Sequence, residues 1–303
     1  MTTDDLLAAD TKMGAVTLLV SDLDAMTRWY RDAVLLDVIS AAGSTVTLGR
    51  GSTSLVLLEH APDLTHAAQL SAGLFHTAIL FPTRASLAAS VYAIATATPG
   101  SFTGSADHLV SEAFYFDDPE GNGVELYFDR ARSGWDWSDG QIQMATLPLD
   151  PNAYLRANLR ANLDAGASAG ADTGAGIPAN TAPAARTTVG HVHLRVGDVA
   201  TAREFYVDRL GFEATVQFGD HALFVSAGGY HHHMAMNTWN SRGAGPRTRA
   251  LGLGVVNIVV PDADGLGALC VRLGRFGHEV NNDGQTLSFD DPWRNLIRVT
   301  SAT

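Results

Sequence analysis

The fold of this chain is decided in one stretch, Asp107-His108-Leu109-Val110-Ser111-Glu112-Ala113-Phe114-Tyr115-Phe116-Asp117-Asp118-Pro119-Glu120-Gly121-Asn122-Gly123-Val124-Glu125-Leu126-Tyr127. Its residues 118–123 carry the Pro, Gly and Asn breakers of a tight turn. The flanking residues alternate between apolar and polar, as in half-buried strands. The stretch therefore predicts a strand, a tight turn and a second strand. The second strand places Glu125 among apolar and aromatic residues, where an unpaired carboxylate is costly. We therefore expect Glu125 to have a partner, and a metal ion is one kind.

Weak internal repeats predict four modules of βαβββ type. The first and third repeats share a strand ending in Val-Ser-Asp or Val-Gly-Asp, followed by a helix with an aromatic–Tyr pair. In the second and fourth, a strand ends in proline before a helix, and an Asp-Pro pair precedes Glu125 or Arg298 at the same spacing. Each module's sheet must pack against or pair with another module. We therefore expect an α+β fold, with modules 1 to 4 at about 13–60, 73–130, 189–240 and 251–301.

The repeats also predict a division into two domains joined by a linker. We place an N-terminal domain at 1–150, an Ala/Gly-rich linker at 151–187 and a C-terminal domain at 188–303. Within the linker, residues 153–163 have a helical pattern, whereas the composition of 165–185 is that of a flexible connection.

Bulk composition narrows the functional classes. The formal net charge of -12 argues against a nucleic-acid or anionic-membrane partner, since both need a basic surface. With Cys270 as its one cysteine, the chain can form neither an intrachain disulfide nor a thiolate-rich metal site. Neither a signal peptide nor an apolar run of membrane-spanning length is evident, so we expect a cytoplasmic protein. The sequence leaves the oligomeric state open, a homo-oligomer included.

Two histidines and one glutamate are the candidate metal ligands. His76 and His191 open the first strands of modules 2 and 3, and Glu125 lies on the closing strand of module 2. A lone histidine in such a strand is more often a satisfied core residue. Together, however, two imidazoles and a carboxylate suit a divalent metal with N and O ligands, and this set is typical of non-haem Fe(II) oxygenases.

Further histidines and a tyrosine lie near these positions. His193 shares a strand face with His191, and packing there would explain it. The run 231–233 is interpreted as strand-borne, so that His232 faces away from its two histidine neighbours. His108 precedes the strand that carries Tyr115, which could equally be a core aromatic residue with a satisfied hydroxyl.

Outside the linker, the chain resembles the vicinal oxygen chelate superfamily, and within it the extradiol ring-cleaving dioxygenases of the catechol 2,3-dioxygenase type. The segment Tyr115-Phe116-Asp117-Asp118-Pro119-Glu120-Gly121-Asn122-Gly123-Val124-Glu125 matches a motif of that family, and the strands that begin at Phe75-His76 and Gly190-His191 match its histidine strands. The resemblance implies Fe(II), with Mn(II) as an alternative, held by His76, Glu125 and His191. It also implies that a catechol-type substrate and O2 give a ring-opened semialdehyde.

The same resemblance implies roles for three more residues. His232 corresponds to the acid–base histidine, although a one-residue slip in the alignment would favour His233. Tyr115 corresponds to a tyrosine that hydrogen-bonds the substrate, and His108 would close the pocket.

The chain departs from better-known relatives, whose three ligands lie in the C-terminal half. Module 4 has Val255 and Arg298 at the ligand positions, and module 1 has Ala15. Because only modules 2 and 3 together hold a full triad, we predict that they pair around the metal in one cupped mixed sheet. Modules 1 and 4 would then pair in a second sheet as a structural partner. Two alternatives stay open on this fold: a glyoxalase-like metalloenzyme, and a non-catalytic small-molecule-binding or resistance protein.

Overall fold

The computed structural model of the chain describes residues 6–167 and 186–302. The helices are α1 (Leu23–Arg28), α2 (Arg84–Ala97), α3 (Pro151–Ala167), α4 (Val199–Arg203) and α5 (Ala263–Arg275). π-helical turns at Trp29–Ala33 and Glu204–Arg209 continue α1 and α4, and short 3-10 turns lie at Pro99–Ser101 and Arg132–Gly134.

Most of the strands fall into the four modules. Module 1 holds β2 (Val16–Val20), β3 (Asp37–Ala42), β4 (Thr45–Arg50) and β5 (Thr53–His60), and β1 (Lys12–Met13) precedes it. Module 2 holds β6 (Gly73–Leu80), β7 (Phe102–Asp107), β8 (Ser111–Asp117) and β9 (Gly123–Asp129). The connection that follows contains β10 (Trp137–Ser138), β11 (Gln141–Ile142) and β12 (Leu147–Pro148). Module 3 holds β13 (Thr188–Arg195), β14 (Glu213–Phe218), β15 (Ala222–Ser226) and β16 (Met234–Asn237). Module 4 holds β17 (Gly252–Val260), β18 (Asn281–Asn282), β19 (Thr286–Asp290) and β20 (Leu296–Ser301).

Each module has the strand–helix–three-strand order that the repeats predict, and the predicted α+β fold is confirmed. Two nine-stranded mixed sheets form, and each takes one module from each half of the chain. One sheet runs β12-β7-β8-β9-β6-β13-β16-β15-β14, so modules 2 and 3 pair. The other runs β18-β19-β20-β17-β2-β5-β4-β3, with β1 on β17, so modules 4 and 1 pair. The predicted pairing of modules is therefore correct, whereas the domain limits at 150 and 188 stay a prediction.

Two tyrosine–aspartate hydrogen bonds tie the sheets together. The Tyr30 hydroxyl, from the aromatic–Tyr pair of module 1, donates to the Asp118 carboxylate of module 2 at 3.1 Å. In the same way Tyr206 of module 3 donates to Asp291 of module 4 at 2.8 Å. All four side chains are buried. The repeated sequence features thus link modules that are consecutive in the chain but lie in different sheets.

The connection between the halves begins as a helix. α3 starts at Pro151 and packs against α2, so the helical pattern expected at 153–163 is confirmed. Residues 168–185, most of the segment predicted to be a flexible linker, lie outside the described part of the chain. Among the helices of the described part, none is long and apolar enough to cross a membrane.

Candidate functional site

Strand register brings the three candidate ligands onto one face of the first sheet. β6 runs antiparallel to β13 and parallel to β9, and Ala78 on β6 lies opposite both His191 and Glu125. Side chains directly across from each other share a sheet face, as do residues two apart in one strand. His76, two residues before Ala78, therefore shares this face with His191 and Glu125. The small side chain of Ala78 leaves room between them.

The three side chains converge on one point. The Oε2 atom of Glu125 lies 2.9 Å from Nε2 of His76 and 3.1 Å from Nε2 of His191, and the two nitrogens are 3.4 Å apart. All three residues are buried. In the described part of the chain, this is the group of three histidine, cysteine or acidic residues whose ligand atoms lie close enough to hold a metal ion.

The protonation states of His191 and Glu125 are those that bind metals. Burial lowers the pKa of His191 to about 4, although Glu125 opposes that shift, so the imidazole is neutral near pH 7. Burial also acts to raise the pKa of Glu125, but His191 and His76 outweigh it and hold that pKa well below its usual range. Neutral imidazole and ionised carboxylate are the forms that coordinate a cation.

The donor set fits a divalent metal ion. Three donors at right angles around a cation, with bonds of about 2.1 Å, lie about 3.0 Å from one another. The three separations in the cluster are close to that value. Glu125 also has no lysine or arginine within ion-pair distance in the described chain, only the two imidazoles. A divalent cation would therefore neutralise an otherwise costly buried carboxylate.

A bulge and a glycine set the position of His191. The pairing of β13 with β6 shifts between Val189 and His191, with Gly190 as the extra residue. A Cβ on Gly190 would lie 1.7 Å from the Tyr127 hydroxyl oxygen, so only glycine fits beside that ring. In the opening stretch, Gly121 has a φ of 80°, which the tight turn before Glu125 requires.

Tyr115 and His108 form a hydrogen-bonded pair beside the cluster. Tyr115 lies opposite Glu125 in the register of β8 and β9, and its hydroxyl lies 2.7 Å from Nε2 of His108. Nδ1 of His108 lies 2.7 Å from the carbonyl oxygen of Ala145, which only accepts hydrogen bonds, so Nδ1 carries the proton. Nε2 of His108 then accepts a hydrogen bond from the Tyr115 hydroxyl. Burial and the Glu125 charge raise the pKa of Tyr115 well above its ordinary value, so the hydroxyl stays protonated.

A second chain of hydrogen bonds ends at His232. The Asp129 carboxylate lies 2.9 Å from Nε2 of His231, and Nδ1 of His231 lies 2.7 Å from Nδ1 of His232. Because the Asp129 carboxylate accepts a hydrogen bond from Nε2–H of His231, Nδ1 of His231 accepts a hydrogen bond from Nδ1–H of His232. This leaves Nε2 of His232 unprotonated. Burial lowers the pKa of His232 well below its ordinary value, which keeps the ring neutral.

Sequence reasoning missed Asp129 and the role of His231. The two residues are 102 positions apart, and the sequence pattern at Asp129 is that of an ordinary strand end. One local signal was available: Asp129 follows Glu125 and Tyr127 at a spacing of two, which places all three on one strand face.

The histidine run is not strand-borne, so that interpretation was wrong. β16 begins at Met234, and residues 231–233 lie in the loop before it, where strand alternation does not apply. His232 nevertheless lines the cavity at the cluster, and its ring centroid is 4.1 Å from that of His191. His233 instead accepts a hydrogen bond from the backbone N–H of Ala227 at 3.2 Å, and burial lowers its pKa to about 3.

His193 lies beside the ligand cluster but is not part of it. It faces His76 across the β6–β13 pair, and its Nε2 accepts a hydrogen bond from the Asn237 amide at 2.9 Å. All three candidate ligands border one cavity of about 790 Å³, as do both members of the Tyr115–His108 pair. The cavity wall includes His76, Glu125, His191, Tyr115, His108 and His232, together with aromatic side chains.

Comparison with known proteins identifies the family. The model of the Glyoxalase/Bleomycin resistance protein/Dioxygenase superfamily matches residues 12–126 and 188–299, which is most of the described chain. The chain belongs to this superfamily. The resemblance on the Tyr115–Glu125 motif is thereby confirmed at the level of the superfamily.

Individual superfamily members match over nearly the full length. A protein of Bacillus subtilis (strain 168) named catechol-2,3-dioxygenase is 33% identical over 288 residues, which cover 93% of this chain and 94% of that protein. A solved structure named "putative dioxygenase" from Bacillus subtilis subsp. subtilis str. 168 has a TM-score of 0.62 at 12% identity. The match covers 98% of this chain and 86% of that chain. Glyoxalase I from Zea mays has a TM-score of 0.54 at 16% identity, and the match covers 96% of this chain and 92% of that chain. At these identities the two solved structures bear on the fold alone.

The second sheet of this superfamily member lacks the ligand residues at equivalent positions. Asn257 on β17 lies opposite Arg298 on β20, as Ala78 lies opposite Glu125 in the first sheet. Val255, two residues before Asn257, therefore occupies the position of His76. These matches agree with the sequence expectation for module 4. That the second sheet acts as a structural partner stays a prediction.

Proposed function

We propose that this protein is an Fe(II)-dependent extradiol dioxygenase, which inserts O2 into a catechol-type substrate and gives a ring-opened semialdehyde. One observation carries the proposal: the buried His76–Glu125–His191 cluster faces a cavity that also receives Tyr115 and His232. The 33% identity to a protein named catechol-2,3-dioxygenase supports the same activity.

His76, Glu125 and His191 would hold the metal, Fe(II) or alternatively Mn(II). Three protein ligands leave coordination positions open toward the cavity. When bound, Fe(II) supplies a single centre at which the diol and O2 react, and its charge offsets negative charge on the substrate.

His232 would act as the acid–base residue. Its unprotonated Nε2 accepts the proton of one catechol hydroxyl and later returns a proton to oxygen, as general acid–base catalysis requires. Asp129 and His231 hold the proton of His232 on Nδ1, so they select the tautomer whose Nε2 can act as a base.

Tyr115 and His108 would orient the substrate. The Tyr115 hydroxyl donates to Nε2 of His108, so the lone pairs of its oxygen are free to accept a hydrogen bond from the second substrate hydroxyl. The backbone carbonyl of Ala145 fixes the ring of His108 from its other side.

Two other functions are known on folds of this class, and neither has a specific observation in its favour here. A glyoxalase-type site would use a fourth protein ligand. On β16, the strand of module 3 equivalent to β9, Ala235 lies opposite His193 where a second carboxylate would be needed. A non-catalytic binding protein would have no use for the converging ligands, the Tyr115–His108 pair and the hydrogen-bonded histidines 231 and 232.

Anaerobic loading with Fe(II), followed by catechol and air-saturated buffer, tests the proposal. We expect a yellow ring-opened product and consumption of one O2 per catechol. No product from any catechol while the protein retains its iron would contradict the proposal and favour the alternatives.

Two glutamates provide a matched comparison in this assay. Glu125→Gln should abolish turnover and iron retention together. Glu112→Gln alters another buried glutamate of the same sheet, which pairs with Arg84 and Arg130. It should retain iron and turnover, because Glu112 does not line the cavity. In a third variant, His232→Ala, we expect iron to be retained and kcat to fall by about 10²–10⁴-fold.

A further inference from the structure

We propose that the cavity selects catechols with a bulky, uncharged, apolar substituent and discriminates against catechols that carry a carboxylate. This inference rests on the proposed function, because it takes the catechol ring to be the part of the substrate at the His76–Glu125–His191 cluster. It concerns the remainder of the substrate and is carried by the charge, the aromatic surface and the size of the cavity.

The side chains of the cavity wall disfavour a substrate carboxylate. Among the described residues that line it, the ionisable side chains are those of acidic residues, histidines and Tyr115, without a lysine or arginine. Asp117 is exposed in the cavity wall and would repel an anion. Next to the wall, Nη2 of Arg242 lies 3.2 Å from Nδ1 of the lining residue His221, but this guanidinium is already paired with Asp220 at 2.8 Å. A buried anion without a partner is strongly disfavoured, so a carboxylated catechol would bind poorly.

Aromatic side chains form a continuous apolar wall beside the ligand cluster. The ring of Phe75 lies 4.9 Å from that of His193 and 5.4 Å from that of Trp239, measured between centroids. Phe224 lies 5.8 Å from His193 and 5.7 Å from Phe218, which extends the wall toward solvent.

The outer part of this wall is only partly covered by the protein. Trp239 is 52% exposed and Phe218 46% exposed, although both line the cavity. Covering such rings removes apolar surface from water, which favours an apolar substituent that extends from the cluster toward them.

The size of the cavity also favours a large substituent. Pockets of about 300–1,000 Å³ hold drug-sized ligands. At about 790 Å³ the cavity is in the upper part of that range and larger than a single aromatic ring needs. An unsubstituted catechol would leave much of the apolar wall in contact with water.

A substrate series tests the inference on the Fe(II)-loaded enzyme. For catechols with methyl, ethyl and propyl groups, kcat/KM should rise about fourfold for each methylene that becomes buried. A catechol with a phenyl substituent should be a better substrate than catechol. The matched pair for charge is 3,4-dihydroxybenzoate and its methyl ester, and we expect the ester to be favoured by at least about 100-fold.

Substitution of two half-exposed tryptophans, one inside and one outside the cavity wall, separates loss of the apolar wall from a general effect of removing a tryptophan. Trp239→Ala should reduce the ratio of kcat/KM for the propyl compound to that for catechol, because part of the apolar wall is lost. Trp137, 48% exposed and outside the cavity wall, serves as the control. Trp137→Ala should leave the ratio as in the wild type.

A second pair of variants tests whether the negative charge of Asp117 disfavours a carboxylated catechol. Asp117→Asn should improve kcat/KM for 3,4-dihydroxybenzoate by about fivefold at low ionic strength, and less in high salt. Glu279→Gln removes one charge from an exposed position in module 4 and should have no such effect.

The two proposals fail in different ways. If catechols are cleaved but the carboxylate equals or exceeds its ester, the inference is overturned and the dioxygenase proposal stands. If no catechol is cleaved although iron is retained, the dioxygenase proposal fails. The selectivity is then read from anaerobic titration calorimetry of the same compounds, which needs no turnover. Equal affinity for acid and ester would overturn the inference, and preference for the ester would support it.

Discussion

The most direct prediction concerns the thermal stability that a divalent metal confers on the protein. A ligand that binds only the folded state stabilises it by RT ln(1 + [L]/Kd). The buried cluster exists only in the folded chain, because its residues come from three strands up to 115 positions apart. Fe(II) or Mn(II) should therefore raise the melting temperature of the wild type, and removing the Glu125 carboxylate should remove most of that increase.

The size of the effect follows from this relation. At a metal concentration of about 100 Kd the stabilisation is about 2.7 kcal/mol. For chains of this size 1 kcal/mol shifts the midpoint by about 2–4 °C, so we expect a rise of about 5–10 °C. Glu125→Gln keeps the shape of the side chain but loses its charge, which is the only negative charge among the three donors. If affinity falls by about 100-fold, the same metal concentration contributes about 0.4 kcal/mol, a shift of about 1 °C.

The assay is differential scanning calorimetry under anaerobic conditions, with and without metal. Glu112→Gln should lower the melting temperature of the apo protein, since a buried carboxylate loses its ion pair with the partly exposed Arg84, yet keep the full metal-dependent increase. His66→Ala, at an exposed histidine, controls for adventitious binding. A full metal-dependent increase in Glu125→Gln, or none in the wild type with either metal, would refute the assignment of the cluster as a metal site.

Three further predictions follow from hydrogen bonds and packing. Tyr30→Phe removes the hydrogen-bond donor to the buried Asp118 carboxylate that links the two sheets. Urea denaturation should show that the free energy of unfolding falls by about 1–3 kcal/mol. Tyr92→Phe, at an exposed tyrosine, should leave the free energy of unfolding unchanged. Asp129→Asn should reduce kcat by about 10–100-fold with little change in iron content, because the tautomer of His232 is no longer fixed. An unchanged kcat in steady-state assays would contradict a role for the Asp129–His231–His232 hydrogen bonds in catalysis. Gly190→Ala forces a methyl group against the Tyr127 hydroxyl, so calorimetry should show that the free energy of unfolding falls by about 1–3 kcal/mol or more. A melting curve like that of the wild type would argue against this close approach.

The repeats and the opening stretch made much of the fold predictable. Turn residues at 118–123 and period-two alternation are local signals, so β8, the turn and β9 could be read directly from the chain. The pairing of modules 2 and 3 was also predictable, because neither half holds a complete ligand set. By contrast, residues 231–233 were misassigned to a strand, since their apolar and aromatic neighbours imitate one. β16 in fact starts only at Met234.

The sequence by itself determined which residue types were available for chemistry and how each module is built, because hydrophobic periodicity, turn formation and motif spacing are properties of short segments. Only the tertiary structure decided that Asp129 reaches His231, that His232 rather than His233 lines the cavity, and that Tyr115 donates to His108. These facts depend on strand register, on one bulge at Gly190 and on a loop conformation. Contacts of this kind join residues far apart in the chain and are set by packing of the whole sheet, which no local pattern encodes.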